Sequence, residues 1–428
     1  MKRRSLIKSL AAGSILSSGG VLPSTALSAS VNAKKLVVIF QRGGNDGLNT
    51  FVPFNTSAYY DFRKTLAMAE PSSNPDSAIA LTSGTPMLDG TEFGFHPAMA
   101  SLVSLWNAGN MAIMPATHVG LGASRSHFSA QNFIEFGHHM SLPSTVAKTH
   151  QGWLNRWMGS RSLTTNTNGV ELFGFTNARA IRDGSYPITV LTNPSAISLG
   201  GSATLATPWL VDLRERLQAG PGIANSTLGQ AWADQQERTY STFGKFSQLG
   251  QFAAENGAAY PATSLGSQLR QTAALLRSVG EIEAVAIDTG GYDTHADQAT
   301  SHPLLLRDIS DSLAAFYTDM GEDMNNVAVV VMTEFGRTAD VNGSDGTDHG
   351  WASAWWVISK GITGGFFGGW PGLDSDNIGS TGGRFMLNYA TDYRQILADL
   401  MVSFMPGNVA NAEAAFPGFT YGAPLGFV

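Results

Sequence analysis

The sequence predicts an α/β fold, in which short buried strands alternate with amphipathic helices. Apolar runs of five or six residues are typical of strands that are buried on both faces of a sheet. These runs are residues 36–40, 111–116, 283–288 and 327–332. Segments with apolar residues at helical spacing lie between them, beginning at residue 96 and covering residues 265–279 and 303–320. Ligands bind at the carboxyl ends of strands in such sheets, so we expect the site there.

The helix predicted over residues 303–320 has a regular apolar face. The apolar residues that define this face are Leu305, Ile309, Leu313 and Phe316. Ser301 precedes the predicted helix and is the expected N-cap, because its hydroxyl can accept a hydrogen bond from the first turn. A longer, mixed helical pattern at residues 231–254 is expected to cover the sheet.

The composition predicts one folded domain without cysteine chemistry. The chain has 428 residues, of which 43% are hydrophobic, and this is enough for a large core. Charged residues make up only 14%, whereas glycine occurs 48 times, which indicates long structured loops. The absence of cysteine excludes disulfides and thiolate ligands. We expect residues 30–428 to form one domain with an elaborated middle at about residues 152–261, since no repeat or linker marks a boundary.

The first 29 residues contain, in sequence, the three regions of a twin-arginine signal peptide. Lys2, Arg3 and Arg4 precede a weakly apolar run at residues 10–22 and a zone of small residues near Ala29. We therefore expect export by the twin-arginine machinery to the periplasm or the extracellular space. Cleavage near Ala29 would remove four basic residues and no acid, which changes the net charge from −7 to −11. Such an acidic chain is not expected to bind nucleic acid, and no other segment is expected to span a membrane.

Acidic residues and histidines occur in the loops that follow the predicted strands. They are Asp46, Asp293, His295, Glu334, Asp348 and His349. Carboxylates and imidazoles are ligands of divalent cations, although single residues of these types are often turn formers. Because several such loops occur at strand ends, we expect the six side chains to gather at one end of the sheet as ligands of one or two cations.

A further helix is predicted after the strand at residues 111–116. Ser126 stands at its start, and the simplest interpretation is an N-cap that accepts a backbone hydrogen bond. The alternative is a nucleophile, whose hydroxyl lies in the positive helix dipole beside a metal. The sequence leaves both interpretations open.

The order of these motifs resembles that of the alkaline phosphatase and sulfatase superfamily. More closely, the chain resembles an uncharacterised group of twin-arginine-exported proteins that is placed in that superfamily. The shared phrases are GGNDGLNT at residues 43–50, RSHF at 125–128, GWL at 152–154, YDTH at 292–295, TEFGRT at 333–338, DHG at 348–350 and DYRQIL at 392–397. The resemblance covers residues 34–405. It implies an alkaline-phosphatase-like three-layer sandwich, with a mostly parallel central sheet and helices on both faces.

The resemblance also implies two cation sites. Asp46 and Glu334 would hold one cation together with the Ser126 oxygen. The ligands of the second would be Asp293, His295 and His349. Phosphatases have an Asp-His pair where this chain has Glu334 and Phe335, so a single-cation site is the alternative. The mixed oxygen and imidazole donors suit Zn, Mn or Ca.

The activity implied by the resemblance is hydrolysis of a phosphate ester or a related ester. A cation would activate Ser126 or a water molecule, and Arg42 or Arg337 would hold the anionic substrate. His127 would serve as an acid or base, or else as a structural residue at the helix start. The modification motif that sulfatases need is absent, which argues against sulfatase activity. The alternative to an enzyme is an envelope protein that keeps the fold and a structural cation, and binds a glycan or a partner protein.

Overall fold

Nine strands among the described residues form the central sheet of the structure, which is a computed structural model. The structure describes residues 31, 33–82, 90–120, 125–139, 149–161, 171–194, 211, 229–230, 246, 249, 253–374, 378–381 and 384–428. The strands are β1 (Lys35–Gln41), β2 (Phe51–Val52), β3 (Ile79–Ala80), β4 (Gly94–Phe95), β5 (Met111–His118), β6 (Leu172–Gly174), β7 (Thr189–Val190), β8 (Ala284–Thr289), β9 (Val327–Thr333), β10 (Ser353–Ile358), β11 (Gly365–Phe366), β12 (Ile378–Thr381), β13 (Arg384–Leu387) and β14 (Thr391–Asp392). The α-helices are α1 (Gly47–Thr50), α2 (Ser57–Arg63), α3 (Val103–Asn107), α4 (His127–Glu135), α5 (Trp153–Ser160), α6 (Ser264–Ser278), α7 (Gln298–Met320), α8 (Tyr393–Asp399) and α9 (Val409–Ala415).

The central sheet is mostly parallel. Its strand order is β11-β5-β10-β9-β1-β8-β6-β7, and β14 also pairs with β5. Strand β10 is antiparallel to both β5 and β9, whereas β1 is parallel to both β8 and β9. Gln41 lies opposite Thr289 on one side and Thr333 on the other. The loops that follow β1, β8 and β9 therefore leave the sheet at the same edge, and β5 runs in the same direction.

Helices cover both faces of this sheet. Val37 and Ile39 of β1 share one hydrophobic core with residues of α3, α6 and α7. Leu36 and Val38 share the other core with residues of α5, α8 and α9. Neighbouring residues of β1 belong to different cores because successive side chains of a strand point to opposite faces. The architecture is the expected three-layer α/β sandwich, and Val31–Val428 forms one compact unit.

The four predicted strands are present as β1, β5, β8 and β9, and their bounds differ from the prediction by at most two residues. The predicted helix at residues 265–279 is present as α6, and most of the DYRQIL phrase at residues 392–397 lies in α8. The helix predicted from residue 96 begins as a 3-10 helix, Pro97–Leu102, and continues as α3. The pattern at residues 231–254 falls largely outside the described residues.

The start of α7 differs from the prediction. The helix begins at Gln298, and Ser301 lies inside it rather than at the N-cap. Asp297 is the N-cap residue, in a left-handed conformation with φ 47°. The extra turn forms because the backbone N–H groups of Asp297 and Gln298 donate to the carbonyls of Ser344 and Asp345 in a neighbouring loop. Pro303 suggested a helix start but lies within the helix.

The elaborated middle contributes directly to the sandwich. Among its described residues, β6 and β7 extend the central sheet beyond β8, and α5 buries Trp153 and Trp157 in the second core. Within the described part of the chain, no helix combines the length and the apolar composition that crossing a membrane requires.

Candidate metal centre

Three imidazole rings converge on one carboxylate oxygen at the carboxyl edge of the sheet. The Nε2 atoms of His295 and His349 each lie 3.1 Å from Asp293 Oδ1. The Nε2 atom of His127, the first residue of α4, lies 3.3 Å from the same oxygen. This Nε2 atom is buried and makes no hydrogen bond within the described structure. Asp293 is 45% exposed, so the cluster is open to solvent.

The other nitrogen of each ring is held by an oxygen acceptor. The pairs are His127 Nδ1 with Glu334 Oε1 at 2.8 Å, His295 Nδ1 with Asp348 Oδ1 at 2.9 Å, and His349 Nδ1 with the Arg125 carbonyl at 2.6 Å. These acceptors place the proton on Nδ1, as inferred from the hydrogen-bond network. Each Nε2 faces the cluster. Histidines that bind metals are held in this way by carboxylates or backbone carbonyls. The Nε2 atoms of His295 and His349 lie 2.9 Å apart, so one of them donates a hydrogen bond to the other in the cation-free protein, and cation binding requires the loss of that proton.

His127, Asp293 and His349 meet the geometric requirement for ligands of one cation. Their ligand atoms all lie within 4.8 Å of one another. Catalytic zinc sites commonly have three protein ligands of these types and keep one position for water or substrate. The residues present therefore fit a cation site close to the second one that the resemblance implies, with His127 in place of His295, whose Nε2 lies 2.9 Å from His349 Nε2. His295 lies beside this set and is 41% exposed.

The charges around Asp293 keep it ionised. Burial alone would raise the pKa of Asp293, but Arg337 and then the imidazoles of His127 and His349 lower it to about 2. Burial lowers the pKa of His127, but the hydrogen bond and charge of Glu334, with Asp293, raise it above its ordinary value. For His349 burial dominates, and its pKa is lowered. Cation binding requires an ionised Asp293 and neutral imidazoles, so the low pKa values of Asp293 and His349 favour it, whereas the raised pKa of His127 means that a cation must displace a proton from that ring.

Glu334 is the partner of His127 and not a member of the ligand cluster. Its side chain is fully buried, and Oε1 accepts hydrogen bonds from His127, from Gln131 at 2.9 Å and from the Gly43 N–H at 2.9 Å. Burial would raise the pKa of Glu334, but these hydrogen bonds lower it. The structure therefore does not support the expected role of Glu334 as a cation ligand, and its carboxylate instead orients the His127 ring.

Asp46 also has other partners. It caps α1 by accepting a hydrogen bond from the Asn49 N–H at 3.3 Å. Its carboxylate forms a buried ion pair with Arg63 and accepts a hydrogen bond from Gln298. These donors surround both carboxylate oxygens, so the structure does not support the expected role of Asp46 as a cation ligand.

Arg337 is a buried connection between loops and not an anion clamp. Its side chain is fully buried, and Nη2 donates to Asp293 Oδ1 at 2.5 Å. Its other acceptors are the carbonyls of Gly43, Gly44, Tyr292 and Thr347. The guanidinium thus joins the loops after β1, β8 and β9, and its contacts leave no free face for a substrate anion.

Arg42 is likewise engaged by carboxylates. Its guanidinium makes two hydrogen bonds to Glu135, at 2.9 and 3.0 Å, and lies 2.8 Å from Asp288. Glu135 is fully buried and needs such a counter-charge. Arg42 therefore neutralises Glu135, and the expectation that it holds the substrate is not supported.

Ser126 occupies the N-cap position of α4, with φ −95° and ψ 124°. Its side chain does not make the predicted capping hydrogen bond to the first turn of the helix. Ser126 directly precedes His127, so its hydroxyl belongs to the same part of the chain as a candidate ligand.

Two glycines let the loop after β1 approach the cluster closely. A Cβ atom on Gly43 would lie 2.4 Å from the backbone of the neighbouring loop, and one on Gly44 would lie 2.5 Å from the ring of Phe335. The Phe335 ring packs against His127 and His349, with centroids 4.8 and 4.9 Å apart. The aromatic ring thus forms a wall of the cluster.

Three residues have roles in the cluster that the sequence does not predict. His127 was expected as an acid, a base or a structural residue, whereas its ring faces the cluster. Gln131, one turn further along α4, and the carbonyl of Arg125 carried no recognisable signal. The RSHF phrase was the available clue, because it places a histidine at the start of a helix that follows a sheet strand.

A known protein family matches most of the chain. The model of a family described as "Protein of unknown function (DUF1501)" matches residues 33–381. The matched segment includes all the residues of the cluster and their acceptors. No curated protein matches the chain.

Proposed function

The chain belongs to the DUF1501 family, and we propose that it is a metal-dependent hydrolase of phosphate or related esters in the cell envelope. One observation carries this proposal. Three oriented imidazoles face a single, ionised and solvent-accessible carboxylate oxygen at the carboxyl edge of a mostly parallel sheet. This edge is where ligands bind in open α/β folds.

Solvent access favours a catalytic cation over a structural one. Structural zinc sites are closed by four protein ligands, whereas catalytic sites keep an open position. Asp293 and His295 are 45% and 41% exposed, so a substrate can reach the cluster. A site that served stability alone would have no need for this exposure.

We propose His127, Asp293 and His349 as the cation ligands. Two imidazole nitrogens favour Zn or Mn over Ca, which prefers oxygen donors. When bound, the cation supplies positive charge that polarises a phosphoryl oxygen and promotes ionisation of an attacking hydroxyl group. Ser126 is the proposed nucleophile, because it directly precedes the proposed ligand His127 at the N-terminus of α4.

His295 is the proposed proton carrier. Its Nδ1 is held by Asp348 at 2.9 Å, and its exposed ring presents Nε2 to the cluster. An imidazole that a carboxylate orients in this way can accept a proton at Nε2 from a nucleophile and return it to a leaving group. The Asp348 carboxylate then serves as the orienting group rather than as a cation ligand.

Arg125 is the arginine that we propose to bind the anionic group of the substrate. It is partly exposed, and its Nη1 lies 3.4 Å from the His349 carbonyl. The contact with the His349 carbonyl places its guanidinium beside one of the proposed ligand residues. Planar guanidinium groups bind phosphate oxygens in pairs.

Replacing Arg125 by glutamine is expected to lower kcat/KM for a phosphate ester about 10- to 100-fold, since a hydrogen bond to a charged group contributes about 1.5–3 kcal/mol. Cation affinity should stay close to that of the wild type, because the His349 ring bonds to the backbone carbonyl of Arg125, which the substitution keeps. The Arg125 side chain contacts His349 at its carbonyl, through a long hydrogen bond of 3.4 Å. The matched control is Arg307→Gln, which changes an exposed arginine on α7. Steady-state kinetics gives kcat/KM for both variants. Equal kcat/KM for both variants would exclude Arg125 as the anion-binding group.

Export by the twin-arginine machinery is the proposed route to the envelope. Changing Arg3 and Arg4 together to lysine is expected to leave an uncleaved precursor in the cytoplasm, because the pair is the recognised part of the signal. Fractionation and immunoblotting of the two forms measure this. Normal cleavage of the double variant would contradict the proposal.

The hydrolase proposal is tested with the mature chain after treatment with a chelator. Adding Zn or Mn is expected to restore hydrolysis of chromogenic phosphate monoesters or diesters, and calcium is expected to restore less. Binding of the cation without turnover of any ester would contradict the proposal. That result would favour the alternative, an envelope binding protein in which the cation contributes only stability.

A further inference from the structure

We infer that Asp46 holds no second cation, because the guanidinium of Arg63 takes that place. The buried chain from Arg63 through Asp46 to Gln298 instead positions the two loops that carry cation ligands. The protein therefore binds one cation where the superfamily resemblance implies two. This inference rests on the proposed cation at His127, Asp293 and His349.

Arg63 and Asp46 form a short ion pair that is buried from solvent. Arg63 Nη1 lies 2.5 Å from Asp46 Oδ2, and Nη2 lies 2.7 Å from Oδ1. The two side chains are 0% and 1% exposed. A two-pronged contact of this kind uses both oxygens of the carboxylate and the planar edge of the guanidinium.

Two further donors complete the surroundings of Asp46. The Gln298 amide donates to Oδ2 at 2.5 Å, and the Asn49 N–H donates to Oδ1 at 3.3 Å. A cation bound to Asp46 would have to displace Arg63. The displaced guanidinium would then be a buried charge without a partner, and this is strongly unfavourable.

The side-chain amide of Gln298 connects Asp46 to both loops that carry proposed cation ligands. Its Oε1 atom accepts hydrogen bonds from Thr294 Oγ1 at 3.0 Å and from Thr347 Oγ1 at 2.6 Å. Thr294 stands between Asp293 and His295, and Thr347 directly precedes Asp348 and His349. All three hydrogen-bonding residues are buried. The amide group of Gln298 therefore helps to fix the spacing between the two loops, together with Arg337 and with the Thr347 N–H, which donates to the Thr294 carbonyl at 3.2 Å.

The fixed spacing matters because Asp293 and His349 come from different loops. Their ligand atoms lie 3.1 Å apart, and a cation requires both at bonding distance at once. Gln298 is thus a positioning residue that touches no reacting atom. Outer partners of metal ligands commonly change affinity about 10- to 100-fold when they are replaced.

The test measures zinc stoichiometry and zinc affinity in the full mature chain. Equilibrium dialysis followed by elemental analysis is expected to give one zinc ion per wild-type chain. Gln298→Ala is expected to keep that stoichiometry and to weaken zinc binding about 10-fold or more, as measured by competition with a chelating dye. Gln271→Ala removes another buried amide, on α6, and is expected to keep wild-type affinity. A merely structural role of Gln298 would lower the melting temperature in chelator but leave affinity unchanged.

Asp46 is tested by removing both charges of its ion pair. Asp46→Ala alone leaves the buried Arg63 without a partner and is expected to fold poorly. The double variant Asp46→Leu with Arg63→Met replaces the pair by apolar side chains, and it is expected to bind one zinc ion.

Two bound zinc ions in the wild type, with loss of one in the double variant, would overturn the inference and leave the hydrolase proposal standing. Unchanged affinity in Gln298→Ala would also overturn it. One bound ion without turnover of any ester would instead reject the hydrolase proposal alone. No zinc binding at any concentration would overturn both.

Discussion

His349→Ala is expected to lose tight cation binding and to lower ester hydrolysis by more than about 100-fold, since even outer partners of metal ligands change affinity about 10- to 100-fold. The loss follows because His349 Nε2 is a proposed ligand, 3.1 Å from Asp293 Oδ1. The ring lies in a loop and contributes little to either core, so the variant should remain folded. Zinc affinity by dye competition and kcat by steady-state kinetics measure the two effects separately.

His295→Ala tests whether His295 acts as a proton carrier, as proposed, or as a cation ligand. Its zinc affinity should stay within about tenfold of wild type, whereas kcat should fall about 10²- to 10⁴-fold, the range for loss of an acid or base. His150→Ala changes an exposed histidine that lies outside the cluster, and both quantities should remain at the wild-type level. Full hydrolysis by His349→Ala would remove that residue from the site.

Arg337→Met is expected to lower the free energy of unfolding by at least about 3 kcal/mol, because each buried acceptor left without a donor costs about 1–3 kcal/mol. The guanidinium serves four backbone carbonyls and Asp293 from a fully buried position. Methionine has a similar length but no donor, so the three loops lose their common partner.

Chemical denaturation in chelator isolates this effect from the stabilisation that a bound cation adds. Arg307→Met, at an exposed position on α7, should change stability by less than about 0.5 kcal/mol. A stable Arg337→Met variant with a raised KM would restore the anion-clamp role that the sequence suggested.

The strands of the sheet centre were predictable because burial on both faces leaves a continuous apolar run. The apolar runs that form strands β1, β8 and β9 are recognisable in the sequence alone. The short strands β6 and β7 gave no such signal, since two or three residues do not define a period. The start of α7 was missed because its first turn depends on hydrogen bonds to Ser344 and Asp345, which are distant in sequence.

The location of the site at the carboxyl edge of the sheet was also predictable from the sequence, but the roles of its residues were not. Carboxylates in loops at parallel strand ends must lie at one edge, and Asp293 and Glu334 do so. Whether a carboxylate binds a cation, a histidine or an arginine depends on the partner that the fold supplies. Arg63 stands on a short helix, with nothing in its sequence context that indicates an ion pair with Asp46.

Anomalous diffraction from crystals of the zinc-loaded mature chain tests the central claim most directly. We expect a single zinc peak per chain, bonded to His127 Nε2, His349 Nε2 and an oxygen of Asp293 at about 2.0–2.2 Å. The ion pair between Asp46 and Arg63 should be intact in the same crystals. A zinc peak bonded to Asp46 or Glu334, or no peak at the histidine cluster, would contradict the account.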